Sequence, residues 1–96
     1  MQYAKISAKV GDGKMRVLLS NRASKYLERM NEPNKGRVKA ALFKLGEEPP
    51  QGDIKRMSNE DEYRARIGEY RVLFKVTGGI VFVYNIAPRG QVYKGR

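Results

Sequence analysis

Residues 63–76, YRARIGEYRVLFKV, constrain the fold more than any other stretch of the chain. Apolar and charged residues alternate on both sides of Gly68-Glu69. That is the pattern of two half-buried strands joined by a two-residue turn with glycine at its first position. Pairing about this turn sets Ile67 opposite Tyr70, Arg66 opposite Arg71 and Ala65 opposite Val72. One face then carries Tyr63, Ala65, Ile67, Tyr70, Val72 and Phe74. The other carries Arg64, Arg66, Arg71 and Lys75. Two arginines opposed across a ladder repel each other, and a polyanion lying over them would remove the repulsion. The basic face reads either as a phosphate-binding surface or as the solvated side of a basic sheet, and the opposed arginines favour the first.

The rest of the chain must complete that hairpin within one small domain, residues 1–96, with a single core. Its 20 Lys and Arg against 10 Asp and Glu give a formal charge of +10, a field that attracts nucleic acid or an acidic protein. From Tyr63 onward there are seven Lys/Arg and one acidic residue, Glu69, so the asymmetry is concentrated where the hairpin lies. No apolar run suits a membrane-spanning helix, and the N-terminus lacks the apolar stretch of a signal peptide, so a cytoplasmic protein without a membrane partner is expected. Cysteine and histidine are both absent, which removes thiolate chemistry, the usual neutral-pH acid–base and the commonest metal ligand. No metal or other cofactor is implied. Any catalysis must use Arg, Lys, Tyr, Asp or Glu.

Residues 2–10 alternate with period two and read as a strand. Gly11-Asp12-Gly13 is turn chemistry, not a phosphate loop, and RVLLS at 16–20 is a second strand. Ser20 or Asn21 caps a helix running to about Met30, with Ala23, Tyr26, Leu27 and Met30 at helical spacing. Pro33 opens a second helix, whose Val38, Ala41, Leu42 and Leu45 form an apolar stripe and which Gly46 ends. Residues 47–53 form a loop, 54–57 a short extended piece and 58–62 an acidic turn. The run Asn59-Glu60-Asp61-Glu62 reads as a solvated turn, since consecutive residues rarely converge on one ion.

After the hairpin, Thr77-Gly78-Gly79 fits a three-residue loop that pairs Val76 with Ile80, Phe74 with Phe82 and Val72 with Tyr84. This register sets Asn85 beside Arg71 on the basic face. A two-residue Gly78-Gly79 turn would instead direct Asn85 at the core, so the longer loop is preferred. Pro88 ends pairing. The fold class is α+β: a helical hairpin on a mainly antiparallel sheet, in the order β-β-α-α-β-β-β. Arg89 and Tyr93 follow the last strand, where both can approach the basic face. Tyrosine there can stack on a base, exchange a proton or cover the core edge.

Several motifs together resemble the RelE/ParE superfamily of bacterial type II toxins. They are RVLLSNRASKYLERM, the second helix, YRARIGEYRVLFKV and the apolar strand before PRGQVY, and they cover residues 16–93. Residues 1–14 precede the pattern and are candidates for an extra edge strand. A RelE-like member is a ribosome-dependent endoribonuclease that cleaves mRNA and is silenced by an antitoxin encoded beside it. The resemblance implies that Arg71 stabilises the scissile phosphate, Arg89 assists the leaving group, and Tyr93 stacks on or deprotonates the nucleotide. Arg64 and Arg66 stand where well-known members have lysines, and with Lys75 and Asn85 they are expected to bind RNA. The implied partners are an acidic, RelB-like antitoxin, the ribosome and mRNA. The alternatives are a ParE-like inhibitor of DNA gyrase and a non-catalytic basic module that binds RNA or an acidic protein.

Overall fold

Element boundaries fall where the apolar period changes from two to 3.6 residues. The computed structural model describes residues 3–5, 15–47, 50–57 and 62–89. Strand β1 (Tyr3–Lys5) lies antiparallel to β2 (Arg16–Ser20), which runs directly into helix α1 (Asn21–Arg29). Ser20 makes that junction. Its backbone is extended, and its Oγ accepts the Ala23 N–H at 3.1 Å, satisfying a donor that the helix itself leaves orphaned.

Helix α2 (Asn34–Leu45) follows after a short connection. The Glu32 carboxylate accepts the Gly36 N–H at 2.9 Å, so an acid from the connection caps the first turn. At the other end, the Gly46 carbonyl accepts the Met15 N–H at 2.8 Å. A Cβ at Gly46 would lie 3.2 Å from the Met15 carbonyl oxygen, so glycine lets the end of α2 press on the start of β2.

The remaining strands are β3 (Ile54–Arg56), β4 (Glu62–Ile67), β5 (Tyr70–Thr77) and β6 (Ile80–Pro88). The sheet has the order β1-β2-β6-β5-β4-β3. Every pair is antiparallel except β2 with β6, which is parallel. The mainly antiparallel α+β arrangement is as expected, with β3 added as a strand in its own right. Glu62, expected in an acidic turn, is instead the first residue of β4. The turn expected at Gly11–Gly13, the remainder of the strand expected over 2–10, and residues 58–61 lie outside the described residues.

The β4–β5 hairpin has the predicted register, with Arg66 opposite Arg71 and Ala65 opposite Val72. Gly68 takes φ +59°, which a β-carbon would disfavour at this turn.

The β5–β6 register differs from expectation. Thr77 pairs with Ile80 across a two-residue Gly78-Gly79 turn, with φ of +55° and +80°. Phe74 pairs with Val83, not Phe82, and Val72 with Ile86, not Tyr84. The short turn is compatible with a good core because the ladder shifts between Leu73 and Phe74. Tyr84 is the extra residue of that β-bulge. The bulge restores Ile86 to the core, at 2 % exposure, and keeps Asn85 off it.

Both helices pack on one face of the sheet. The core there joins Val17 and Leu19 of β2, Ala23, Leu27 and Met30 at α1, and Val38, Leu42 and Leu45 of α2. Ala65, Val72, Phe74, Val81, Val83 and Ile86 complete it from the other strands. Ala41, placed in the apolar stripe by spacing, is only partly buried. No helix among the described residues is long and apolar enough to cross a membrane.

Candidate functional site

The face of the sheet away from the helices carries the predicted basic residues in rows set by the pairing register. One row is Lys55, Arg64, Leu73 and Asn85, and the next is Arg66, Arg71 and Ala87. On the other side comes Glu62, Lys75, Phe82 and Leu18. Arg64, Arg66, Arg71 and Lys75 thus share a face, as alternation requires. Asn85 joins them opposite Leu73, one row away from the expected place beside Arg71. The shorter turn and the bulge each shift the pairing by one residue, and together they cause that displacement.

The opposed arginines behave differently from each other. Arg66 is 44 % exposed and its Nε lies 3.6 Å from Asp53 Oδ2. Its backbone N–H also donates to the Asp53 carbonyl at 3.0 Å. Arg71 is buried, at 7 % exposure, and its Nη1 donates to the Tyr70 carbonyl at a long 3.5 Å. The repulsion expected between them is therefore relieved in part inside the chain, by Asp53, and does not by itself demand an external polyanion. Arg71 is the more informative member. Among the described residues no carboxylate pairs with it, and a buried cation is costly without one.

Lys75 sits at the far end of the face. Its Nζ is 3.6 Å from Glu62 Oε2 and 5.9 Å from the centre of the Tyr84 ring. The Tyr84 hydroxyl donates to Glu62 Oε1 at 3.1 Å. Glu62 thus joins a strand lysine to the bulge tyrosine. Beyond β6, the Arg89 N–H donates to the Glu69 carbonyl at 2.6 Å. That bond and the pairing of Tyr70 with Pro88 put Arg89 at the turn end of the sheet, the end that bears Arg66 and Arg71. Tyr93 lies outside the described residues.

Sequence reasoning missed three contributors to this face. Asp53 was absorbed into a Pro/Gly-rich loop, and only its long-range contact with Arg66 reveals it. Glu62 could have been found, because Glu62, Arg64 and Arg66 continue one period-two series. Leu73 belongs to the same series as Arg71 and Lys75, and it is 5 % exposed although it lies outside the main core cluster. With the half-buried Leu18, Ile80 and Phe82 it makes the face partly apolar, not purely basic.

At the turn end of the sheet, on the helical side, the Tyr26 and Tyr70 rings meet edge to face with centroids 6.4 Å apart. Burial, and secondly the neighbouring Tyr70 hydroxyl, holds the Tyr26 hydroxyl above its ordinary pKa near 10.0.

The family model for the ParE toxin of type II toxin–antitoxin systems matches residues 17–93, from β2 through the segment beyond β6. The chain belongs to this ParE toxin family. Solved structures place the family member beside RelE. The archaeal RelE–RelB complex from Pyrococcus horikoshii OT3 matches with a TM-score of 0.71 and 26 % identity, over 81 % of this chain and 98 % of that one. The RelB–RelE antitoxin–toxin complex from Methanococcus jannaschii matches at TM-score 0.69 and 19 % identity, over 81 % and 96 % of the two chains. The toxin–antitoxin complex RelBE2 from Mycobacterium tuberculosis matches at 0.64 and 21 %, over 76 % and 95 %. The last two likenesses show the fold alone. No curated protein matches the chain. The ParE toxin match and the RelE-like fold agree with the RelE/ParE resemblance read from the sequence.

Proposed function

We propose that this toxin is a ribosome-dependent endoribonuclease that cleaves mRNA and is neutralised by an acidic, RelB-like antitoxin. The supporting observation is Arg71: a nearly buried arginine on the helix-free face, flanked by Arg66 and Arg64 and paired with no carboxylate among the described residues. A phosphate brought to it would offset the cost of its burial, and the guanidinium fork fits phosphate oxygens.

The chemistry uses the RNA's own nucleophile. The 2′-oxygen attacks the adjacent phosphorus, and the bond from phosphorus to the 5′-oxygen breaks. The products are a 2′,3′-cyclic phosphate and a free 5′-hydroxyl. Arg71 holds the additional negative charge on the phosphoryl oxygens, and Arg89, from the turn end of the sheet, stabilises the departing 5′-oxygen, which takes its proton from solvent water. Tyr93 takes the 2′-hydroxyl proton as phenolate, or else stacks on the nucleotide. Arginine, with a pKa above about 12, is a poor base, so the proton acceptor must come from elsewhere. Arg64, Arg66, Lys75 and Asn85 bind the RNA.

Arg71→Ala lowers cleavage by roughly a hundredfold or more while leaving the fold intact. Ribosome-programmed cleavage mapped by primer extension tests this, with circular dichroism as the control for folding. Full cleavage by Arg71→Ala, or by Tyr93→Phe, removes that residue from the mechanism. The family description, ParE toxin, favours a second reading, inhibition of DNA gyrase by protein binding. A supercoiling assay separates the two: gyrase inhibition with translation intact would overturn the ribonuclease.

A further inference from the structure

Beside the Tyr26–Tyr70 pair lies a hollow of about 260 Å³, walled by Tyr26, Arg29, Met30, Asn31, Asn34 and Tyr70. It does not belong to the basic face. It opens on the helical side, where the end of α1 and the start of α2 approach the first residue of β5. Met30 is buried and the two tyrosines are half-buried, whereas Arg29 and Asn31 are exposed. Two rings and a thioether thus provide apolar wall, and two amides and a guanidinium provide polar rim. Among the described residues no carboxylate lines it. Its volume lies just under the range of drug-sized pockets, about 300–1,000 Å³, which suits one ring system better than a dinucleotide.

Its position matters as much as its lining. Tyr70 immediately precedes Arg71 and pairs with Pro88, and the Arg89 N–H bonds to Glu69. The hollow and the arginine pair therefore occupy the same end of one sheet, on opposite faces, with Arg89 at the rim between them. A single strand whose phosphate sits at Arg71 has only the sheet end to round before a neighbouring base reaches the tyrosines.

The geometry points to a nucleobase subsite: the hollow takes an unstacked base of single-stranded RNA flanking the phosphate held at Arg71. Tyrosine faces accept any base by stacking, whereas an asparagine amide offers a donor and an acceptor together and so reads a base edge. Tyr26 supplies the stacking surface, Asn31 and Asn34 the discrimination, and Arg29 a contact to the adjoining phosphate. The inference rests on the RNA-binding part of the function proposed above, but not on cleavage.

Binding of fluorescent, 2′-O-methylated hexaribonucleotides that differ in one base tests it, because these oligonucleotides cannot be cut by 2′-oxygen attack. The native chain is expected to discriminate among bases at one position by roughly five- to a hundredfold, the range a paired amide contact supplies. The Asn31→Ala/Asn34→Ala variant loses that discrimination while still binding. Tyr26→Leu weakens all of the oligonucleotides by about tenfold. Native binding with no base preference, or an unchanged preference in the double variant, overturns the subsite. A native chain that discriminates in this way but never cleaves ribosome-bound mRNA leaves the subsite standing and overturns the ribonuclease.

Discussion

The Ser20 hydroxyl donates to the Tyr84 carbonyl at 3.1 Å, joining the end of β2 to the bulge of β6 across 64 residues of sequence. The same oxygen accepts the Ala23 N–H. One small side chain therefore caps a helix and also holds the Tyr84 carbonyl of β6.

Ser20→Ala removes both bonds from a site only 7 % exposed. A lost cap costs about 0.5–2 kcal/mol, and loss of the part-buried hydrogen bond to the Tyr84 carbonyl about 0.5–1.5 kcal/mol. Urea denaturation is expected to show a loss of about 2 kcal/mol, with Ser20→Thr recovering most of it. A change below about 0.5 kcal/mol would mean that neither bond stabilises the fold.

Gly78 and Gly79 both have positive φ, and a Cβ at either would meet nothing within 4 Å. Alanine there is penalised only by backbone conformation, at about 1–2 kcal/mol per residue. Asparagine, which tolerates this region better, is expected to cost less at both positions. Equal losses for alanine and asparagine in thermal denaturation would contradict the two-residue turn.

If Arg66 binds RNA as proposed, Asp53, 3.6 Å from its Nε, competes with the RNA for it. The pair is largely exposed, at 44 % and 69 %, so Asp53→Asn changes stability by no more than about 1 kcal/mol. Freed of its carboxylate, Arg66 should bind single-stranded RNA a few-fold more tightly, with a salt dependence steeper by about one unit of slope. Weaker binding by Asp53→Asn would instead make Asp53 a residue that positions Arg66.

Tyr26 contributes to alkaline unfolding. Its folded pKa lies above the ordinary value, so the unfolded chain loses the phenolic proton first as pH rises. Its stabilising share is fully present below pH 10.0 and is lost as the pH climbs through the raised folded value. Tyr26→Phe should therefore flatten the fall in stability above that pH, which denaturation at stepped pH will detect. An ultraviolet titration should show one tyrosine fewer ionising late.

What could be read from the sequence was what lies close along the chain. The β4–β5 hairpin was legible down to the Arg66–Arg71 pair because alternation and a Gly-first turn together fix a register. The cap of α1 was legible as Ser20 or Asn21 for the same local reason, and the structure selects Ser20. The β5–β6 register was not, because the bulge residue is a tyrosine, with no glycine to mark it, and a core argument without a bulge favours the wrong loop. Asp53 was hidden for a different reason. Its role exists only once β3 is laid against β4, and nothing in QGD encodes that neighbour.

The parallel pairing of β2 with β6 has a consequence for how this toxin comes into being. Leu18 lies beside Phe82 and Leu19 beside Val83. Between these partners the chain must make both helices and the whole β3–β5 meander. An early strand therefore waits for the last one, and pairings so distant in sequence are slow to form. A nascent chain stopped before Ile80 can build the Arg66–Arg71 hairpin but has no β6 to hold β2 and α1 against it. The arginine hairpin can form before Ile80 is made, and the body that presents it is completed only with β6.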